Sequence, residues 1–247
     1  GDWSQKFNSS NTKNEDFTLE DGNTIKVSLM QRKGYIYGGF SKDLNAKAVE
    51  LPYKGDKVSL VVLLPDQPNG ITALEKALTT NHLANFVKSF RMVEIDLEVF
   101  LPRFKIDDFF KLQKTFSSMG MTDVFGAKAD FSGMTGGRDL FINEIVHKSF
   151  LEMNEEGSEA AAATTNEARS RPPFAPPVFR ADHPFLFFIR ENESNAVLFL
   201  GKFSRPEADQ GVTSAQEQRS QDHVSDTAQG RAGHAYSSHS HTYSLLI

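Results

Sequence analysis

The sequence predicts an α+β fold, with two or three antiparallel-rich sheets and few helices. Three observations carry that prediction. Residues 92–100 alternate Val93, Ile95, Leu97 and Val99 with Glu94, Asp96 and Glu98, the period of a half-buried strand. Residues 58–64 (VSLVVLL) are a near-continuous apolar run, which reads as a strand buried on both faces. Helical patterning is confined to short stretches, and the chain of 247 residues is long enough to bury a full core around such sheets.

The elements follow in order. Residues 4–24 are rich in Asn, Ser, Thr and charge, and predict a surface excursion. Residues 25–30 alternate as a strand, and Tyr35-Ile36-Tyr37 follows Gly34 as another. Residues 46–53 form the next strand, and Lys54-Gly55-Asp56 turns it back into residues 58–64 as a hairpin. A loop at residues 65–70 leads to two short helices, 71–78 and 80–90, with Thr79 or Thr80 free to cap. Pro102 predicts a bend. Asp107-Asp108 predicts a helix start, with Phe109, Leu112, Phe116 and Met119 on one stripe and Gly120 as its stop. Residues 133–137 read as a loop and 141–154 as a long strand.

The next stretch, Glu155-Glu156-Gly157-Ser158-Glu159-Ala160-Ala161-Ala162-Ala163-Thr164-Thr165, fits no ordinary element. Its alanines favour helix, but no apolar stripe supports one, and Pro172-Pro173 stops it. Extended, it places Ser158, Ala160, Ala162 and Thr164 on one face, all small, with Glu159 on the other. Alone, that composition fits either a linker or a strand able to slip between close-packed neighbours.

Its flanks carry a resemblance. Asn-Glu-Glu-Gly-Ser-Glu-Ala-Ala-Ala-Ala-Thr resembles the reactive-loop hinge of the serpin family, and residues 179–188 resemble its C-terminal signature. Gly1-Asp2-Trp3 and Leu101-Pro102-Arg103-Phe104 match as well, and Ala-Asp-His-Pro-Phe-Leu-Phe-Phe-Ile is similar to the ovalbumin-type branch. The resemblance covers residues 1–206 as one domain, the C-terminal portion of a longer fold. The helices before Gly1, and most of the strand ending near Trp3, are then expected outside this sequence. Residues 207–247, rich in Gln, Ser, Asp and His, predict a disordered tail that departs from the family.

The resemblance implies a serine-type endopeptidase inhibitor that acts as a suicide substrate. A protease cuts the exposed loop, and the loop then inserts into a sheet before the acyl-enzyme hydrolyses, as in the known insertion of serpin loops. It implies a hinge at Glu155, Gly157, Ser158, Ala160, Ala162 and Thr164. Family register puts the scissile bond at Arg171–Pro172. Arg169–Ser170 is the alternative, because a bond before proline is cut poorly. Either arginine implies a trypsin-like partner, whose specificity pocket pairs a carboxylate with the guanidinium. Trp3, Arg103 and His147 are implied in control of sheet opening, with Arg103 expected to pair with Glu155 and His147 to be buried. The alternatives are a non-inhibitory storage, chaperone or interaction role on the same scaffold, or a non-functional fragment.

Composition bounds the rest. The net charge of −5 argues against a nucleic-acid partner, and no apolar run reaches membrane-spanning length. The chain has no cysteine, hence no disulfide. No catalytic motif of the common hydrolase, P-loop or dinucleotide-binding types is present, so no enzyme activity and no cofactor are expected. His234, His239 and His241 cluster in the tail, but no metal site is assigned to them. A monomer is expected. Extracellular residence is expected, with the cytoplasm as the alternative, since ovalbumin-type members lack a cleaved leader. Asn8-Ser9-Ser10 and Asn192-Glu193-Ser194 fit the N-glycosylation pattern, which matters only on secretion.

Overall fold

The computed structural model describes residues 1–157, 175–206 and 244–246. Its main sheet is built on one long strand, β2 (Thr24–Ser41). One edge of β2 pairs first with β1 (Lys13–Thr18) and then with β3 (Ala46–Pro52). The other edge runs antiparallel to β5 (Val93–Pro102) from Leu29↔Pro102 to Gly38↔Val93. The two expected strands, 25–30 and 35–37, are therefore one. Gly34 pairs with Leu97 in mid-ladder and does not interrupt it.

From β3 the sheet continues through β4 (Val58–Pro65), β9 (Phe185–Glu191) and β10 (Val197–Phe203). Ser244–Leu246 adds a short strand, β11, on the outer edge of β10. These are the only described residues of the stretch expected to be a disordered tail. At the opposite end β8 (Val178–Arg180) lies parallel to β5.

The apolar run of β4 is buried on both faces, as its pattern predicted. Leu60 and Val62 join Val49, Leu51, Phe185, Phe187 and Ile189 in the larger core. Val61 and Leu63 face the other way, with Ala46, Ala48 and Phe188, beneath the helices. Those helices are α1 (Ile71–Ala77), α2 (Thr80–Ala84) and α3 (Phe86–Ser89). Thr79 caps α2 in a reciprocal capping box with His82. The expected helix over 80–90 divides at Asn85, and its second half drops Phe86 and Phe90 onto the sheet. The Phe86 and Phe188 rings meet edge-on at 5.4 Å.

Several expectations are corrected. The polar stretch 4–24 is not wholly a surface excursion. It contains β1, and it buries Phe7, Phe17 and Leu19. The helix expected from Asp107 to Met119 begins only at Gln113 and ends at Ser118 (α4). Phe104–Lys111 is instead a strand, β6, paired residue by residue with β7 (Val146–Met153) in a separate two-stranded sheet. Backbone pairing wins because the apolar stripe has nothing to bury against. Phe109 is 56% exposed and Met119 76%, whereas the strand period puts Phe104 and Ile106 into the core opposite Met153 and Leu151. The loop expected over 133–137 holds a short helix, α5 (Ser132–Thr135), and the long strand expected over 141–154 forms only as β7.

Candidate functional site

Strand β7 leads into Asn154-Glu155-Glu156-Gly157, and the first twelve residues of the chain fasten that tetrapeptide. The Trp3 backbone N–H donates to Glu156 O at 2.9 Å, and the Phe7 N–H donates to Glu155 O at 3.0 Å. The Trp3 indole Nε1–H donates to Asn154 O at 2.9 Å. Lys6 pairs with the Glu156 carboxylate. The Thr12 hydroxyl donates to Glu155 Oε1 at 2.6 Å, and Glu155 is buried. A carboxylate out of water needs such a donor, because its desolvation is otherwise uncompensated.

The turn is also held from within. Asn154 Oδ1 accepts from the N–H groups of Glu156 and Gly157, at 3.0 and 3.2 Å. This is the local side-chain-to-backbone bonding at which Asn excels. Gly157 has φ +135° and bridges antiparallel to Asp2. A Cβ at Gly157 would lie 2.7 Å from Asp2 Cα and 2.8 Å from Trp3 N, so only glycine fits.

Trp3 anchors the clamp to the main sheet. Its ring stacks on Tyr53 at 4.7 Å and meets Phe7 edge-on at 6.1 Å, and its own exposure is 2%. Behind the clamp lies Arg32. Its Nη1 donates to Gln5 O at 2.6 Å, and its guanidinium lies 5.9 Å from the centre of the Phe7 ring. Burial pulls the Arg32 pKa down to about 10, and its Nε–H has no partner among the described residues.

The sequence-predicted residues divide into three groups. Trp3, Glu155 and Gly157 come together in the clamp. Arg103 does not join them. It is exposed between buried Pro102 and Phe104, so the strand alternation turns it outward, and among the described residues only its backbone N–H is bonded, to Ser28 O at 2.8 Å. The expected Arg103–Glu155 pair is replaced by Thr12–Glu155. His147 is half-buried rather than buried. Its Nε2 lies 2.8 Å from Ser149 Oγ, and its ring faces Phe110 at 6.3 Å. Ser158, Ala160, Ala162, Thr164, Arg169, Ser170, Arg171 and Pro172 lie outside the described residues.

Sequence reasoning missed Thr12 and Asn154. Asn154 carried a usable signal, because an Asn three residues before a Gly is a turn signature. Thr12 carried none, since its partner is 143 positions away. Among the described residues, β7 has a strand on one side only. Its other edge, running into Gly157, presents backbone groups open to a further strand.

A family model described as Serpin (serine protease inhibitor) matches residues 1–206. Leukocyte elastase inhibitor of Homo sapiens is 44% identical over 213 residues, covering 83% of this chain and 56% of that protein. Serpin B3 of Homo sapiens is 41% identical over 207 residues, covering 83% and 53%. The crystal structure of uncleaved ovalbumin superposes with a TM-score of 0.71 at 32% identity, covering 83% of this chain and 52% of that one. The chain thus spans about half the length of the curated relatives it matches. It belongs to the serpin family, in its ovalbumin-type branch.

Proposed function

We propose that this chain forms the loop-bearing portion of a serine protease inhibitor that works by loop insertion. The supporting observation is the clamp itself. Residues 1–12 fix Asn154–Gly157 at the end of β7, the sequence continues in a run of small residues, and among the described residues β7 has a strand on one edge only. After cleavage, that run enters as a new strand alongside β7. Ser158, Ala160, Ala162 and Thr164 form the inward face, and none carries bulk or charge that would slow entry. About 15 residues at roughly 3.3 Å each reach near 50 Å, the scale of a small protein. A protease still acylated to the cut end is carried that distance.

Arg171, or Arg169 as the alternative, directs the inhibitor to trypsin-like proteases through guanidinium–carboxylate pairing. The name of a relative, leukocyte elastase inhibitor, supports a second reading with an elastase as target. Titration against trypsin and against elastase tests both. A complex that survives boiling in SDS with trypsin alone supports the arginine reading. A complex with elastase alone moves the scissile bond elsewhere in the loop. Simple turnover of the loop by both, with no complex, favours the non-inhibitory role.

Extracellular residence belongs to the same proposal, with the cytoplasm as the alternative fitting the ovalbumin-type branch. Asn8 is exposed and able to carry a glycan, whereas the Asn192 amide is engaged with Asp56 O and Ser59 Oγ. A glycan on Asn8 in protein from its own cells places it in the secretory route. Unmodified Asn8, with the protein in the soluble cell fraction, places it in the cytoplasm.

A further inference from the structure

Away from the clamp, a cavity of about 570 Å³ opens where β2, β3, β5 and β8 meet. Its walls are apolar, formed by Phe40, Ile95, Leu97 and Phe179 among others. Gly38 leaves the floor open, and a Cβ there would lie 3.2 Å from Leu97 Cδ2. The register puts Gly38, Val93 and Val49 on one face, and Phe40 with Lys47 on the same face. Phe40, Val93 and Val178 at the mouth are 40%, 55% and 49% exposed, so apolar side chains reach solvent there.

Among the described residues that line this cavity the charges are all of one sign: Lys42, Lys47 and Arg91 border it, with no Asp or Glu. Lys47 reaches Asp66 outside the cavity at 3.7 Å. Among the described residues no carboxylate is bonded to Lys42 or Arg91. Arg91 holds φ +48°, in the left-handed region, and its N–H is tied to Lys88 O at 3.2 Å. Its backbone is therefore fixed at the cavity's edge and not trailing in a loop. Apolar walls with a few convergent polar groups, within a volume of roughly 300–1,000 Å³, are the usual form of a small-ligand site.

We propose that this cavity binds an amphipathic carboxylate, with an alkyl chain against Phe40, Ile95 and Leu97 and the anionic head at Lys42 and Arg91. Charge complementarity selects the head, and the uncovered apolar wall selects the tail. A polyanion such as a nucleic acid or a sulfated sugar leaves the apolar wall unused. A neutral lipid leaves the cations unused.

The test is isothermal titration of the full chain with dodecanoate below its micelle concentration. Saturable one-site binding is expected, tightening about three- to fourfold per methylene from octanoate to dodecanoate. Lys42→Ala with Arg91→Ala should weaken it by about tenfold or more, and dodecanol should bind as weakly to the native chain as dodecanoate does to that variant. Val178→Glu, an exposed change that sets a like charge at the mouth, should weaken dodecanoate as well. Both variants should keep the native melting temperature. No saturable binding, binding unchanged in the double variant, or dodecanol as tight as dodecanoate would each overturn the proposal. Either of the last two would mean adsorption to exposed apolar surface such as Phe109 and Phe150 on β6 and β7.

Discussion

Thr12 donates its hydroxyl to the buried Glu155 carboxylate at 2.6 Å, across 143 positions of chain. This bond closes the first twelve residues over the end of β7. Thr12→Val keeps the shape and removes the donor, so the carboxylate is left desolvated without this bond. The expected loss is about 1.5–3 kcal/mol, and at roughly 2–4 °C per kcal/mol for a chain of this size the melting temperature should fall by several degrees. Arg103→Ala, at an exposed side chain, should stay within about 0.5 kcal/mol of native. Differential scanning calorimetry of the two variants separates them. A loss in Arg103→Ala with none in Thr12→Val would mean that Arg103, not Thr12, satisfies Glu155.

Gly157→Ala should cost more than about 1 kcal/mol, because both its φ and its neighbours Asp2 and Trp3 exclude a Cβ. Trp3→Phe should cost about 1 kcal/mol, losing the bond to Asn154 O while keeping a ring against Tyr53. Limited proteolysis with a protease that does not cut after arginine reads the same effect. Nicking near residues 154–157 should rise in both variants and stay at the native rate in Arg103→Ala.

Much of this arrangement was legible in the sequence, and the exceptions share a cause. The both-face burial of β4 and the hairpin at Lys54–Asp56 follow from local patterns that need no partner to be read, whereas Gly157 came from the family resemblance. The β6 segment was misread as a helix because Phe109, Leu112, Phe116 and Met119 do recur at helical spacing. What decides it is pairing with β7, some forty residues on. Phe7 and Phe17 were hidden in a polar stretch because each is an isolated apolar residue, buried by long-range contact. In the clamp, Trp3 and Glu155 came from the family resemblance, whereas Thr12 and the outward turn of Arg103 appear only once the strands are paired.

Asp182 sets an acid limit on stability. Burial opposes its ionisation, but the bond to His183 and the charges of His183 and Arg180 outweigh that and hold its pKa below the ordinary value. A carboxylate with a depressed folded-state pKa contributes stability above its unfolded pKa of about 3.9, and loses it as pH falls through the folded value. Melting temperatures at pH 7, 4 and 3 should therefore fall steeply below about pH 4. Asp182→Asn should be less stable at pH 7 and show a shallower fall. Parallel curves for the two proteins would remove Asp182 from the account.

The proposed loop entry beside β7 requires a small inward face. If that proposal holds, Thr164→Arg or Ala160→Asp should turn trapping into turnover, with the number of inhibitor molecules consumed per protease inactivated rising several-fold. Unchanged stoichiometry in both variants counts against insertion. Pro172→Ser should speed cleavage and improve inhibition if Arg171 carries the scissile bond, and leave both unchanged if Arg169 does.

The most direct measurement is mass spectrometry of what trypsin releases from the loop. The account predicts one cut after arginine between residues 157 and 175, with the N-terminal fragment held to the protease as an SDS-stable adduct. A released C-terminal fragment beginning at Pro172 assigns Arg171, and one beginning at Ser170 assigns Arg169, whose loop is shorter by two residues, roughly 6–7 Å of extended chain. An intact loop after prolonged incubation with active trypsin, or cleavage at neither arginine, would contradict the arginine-directed inhibitor.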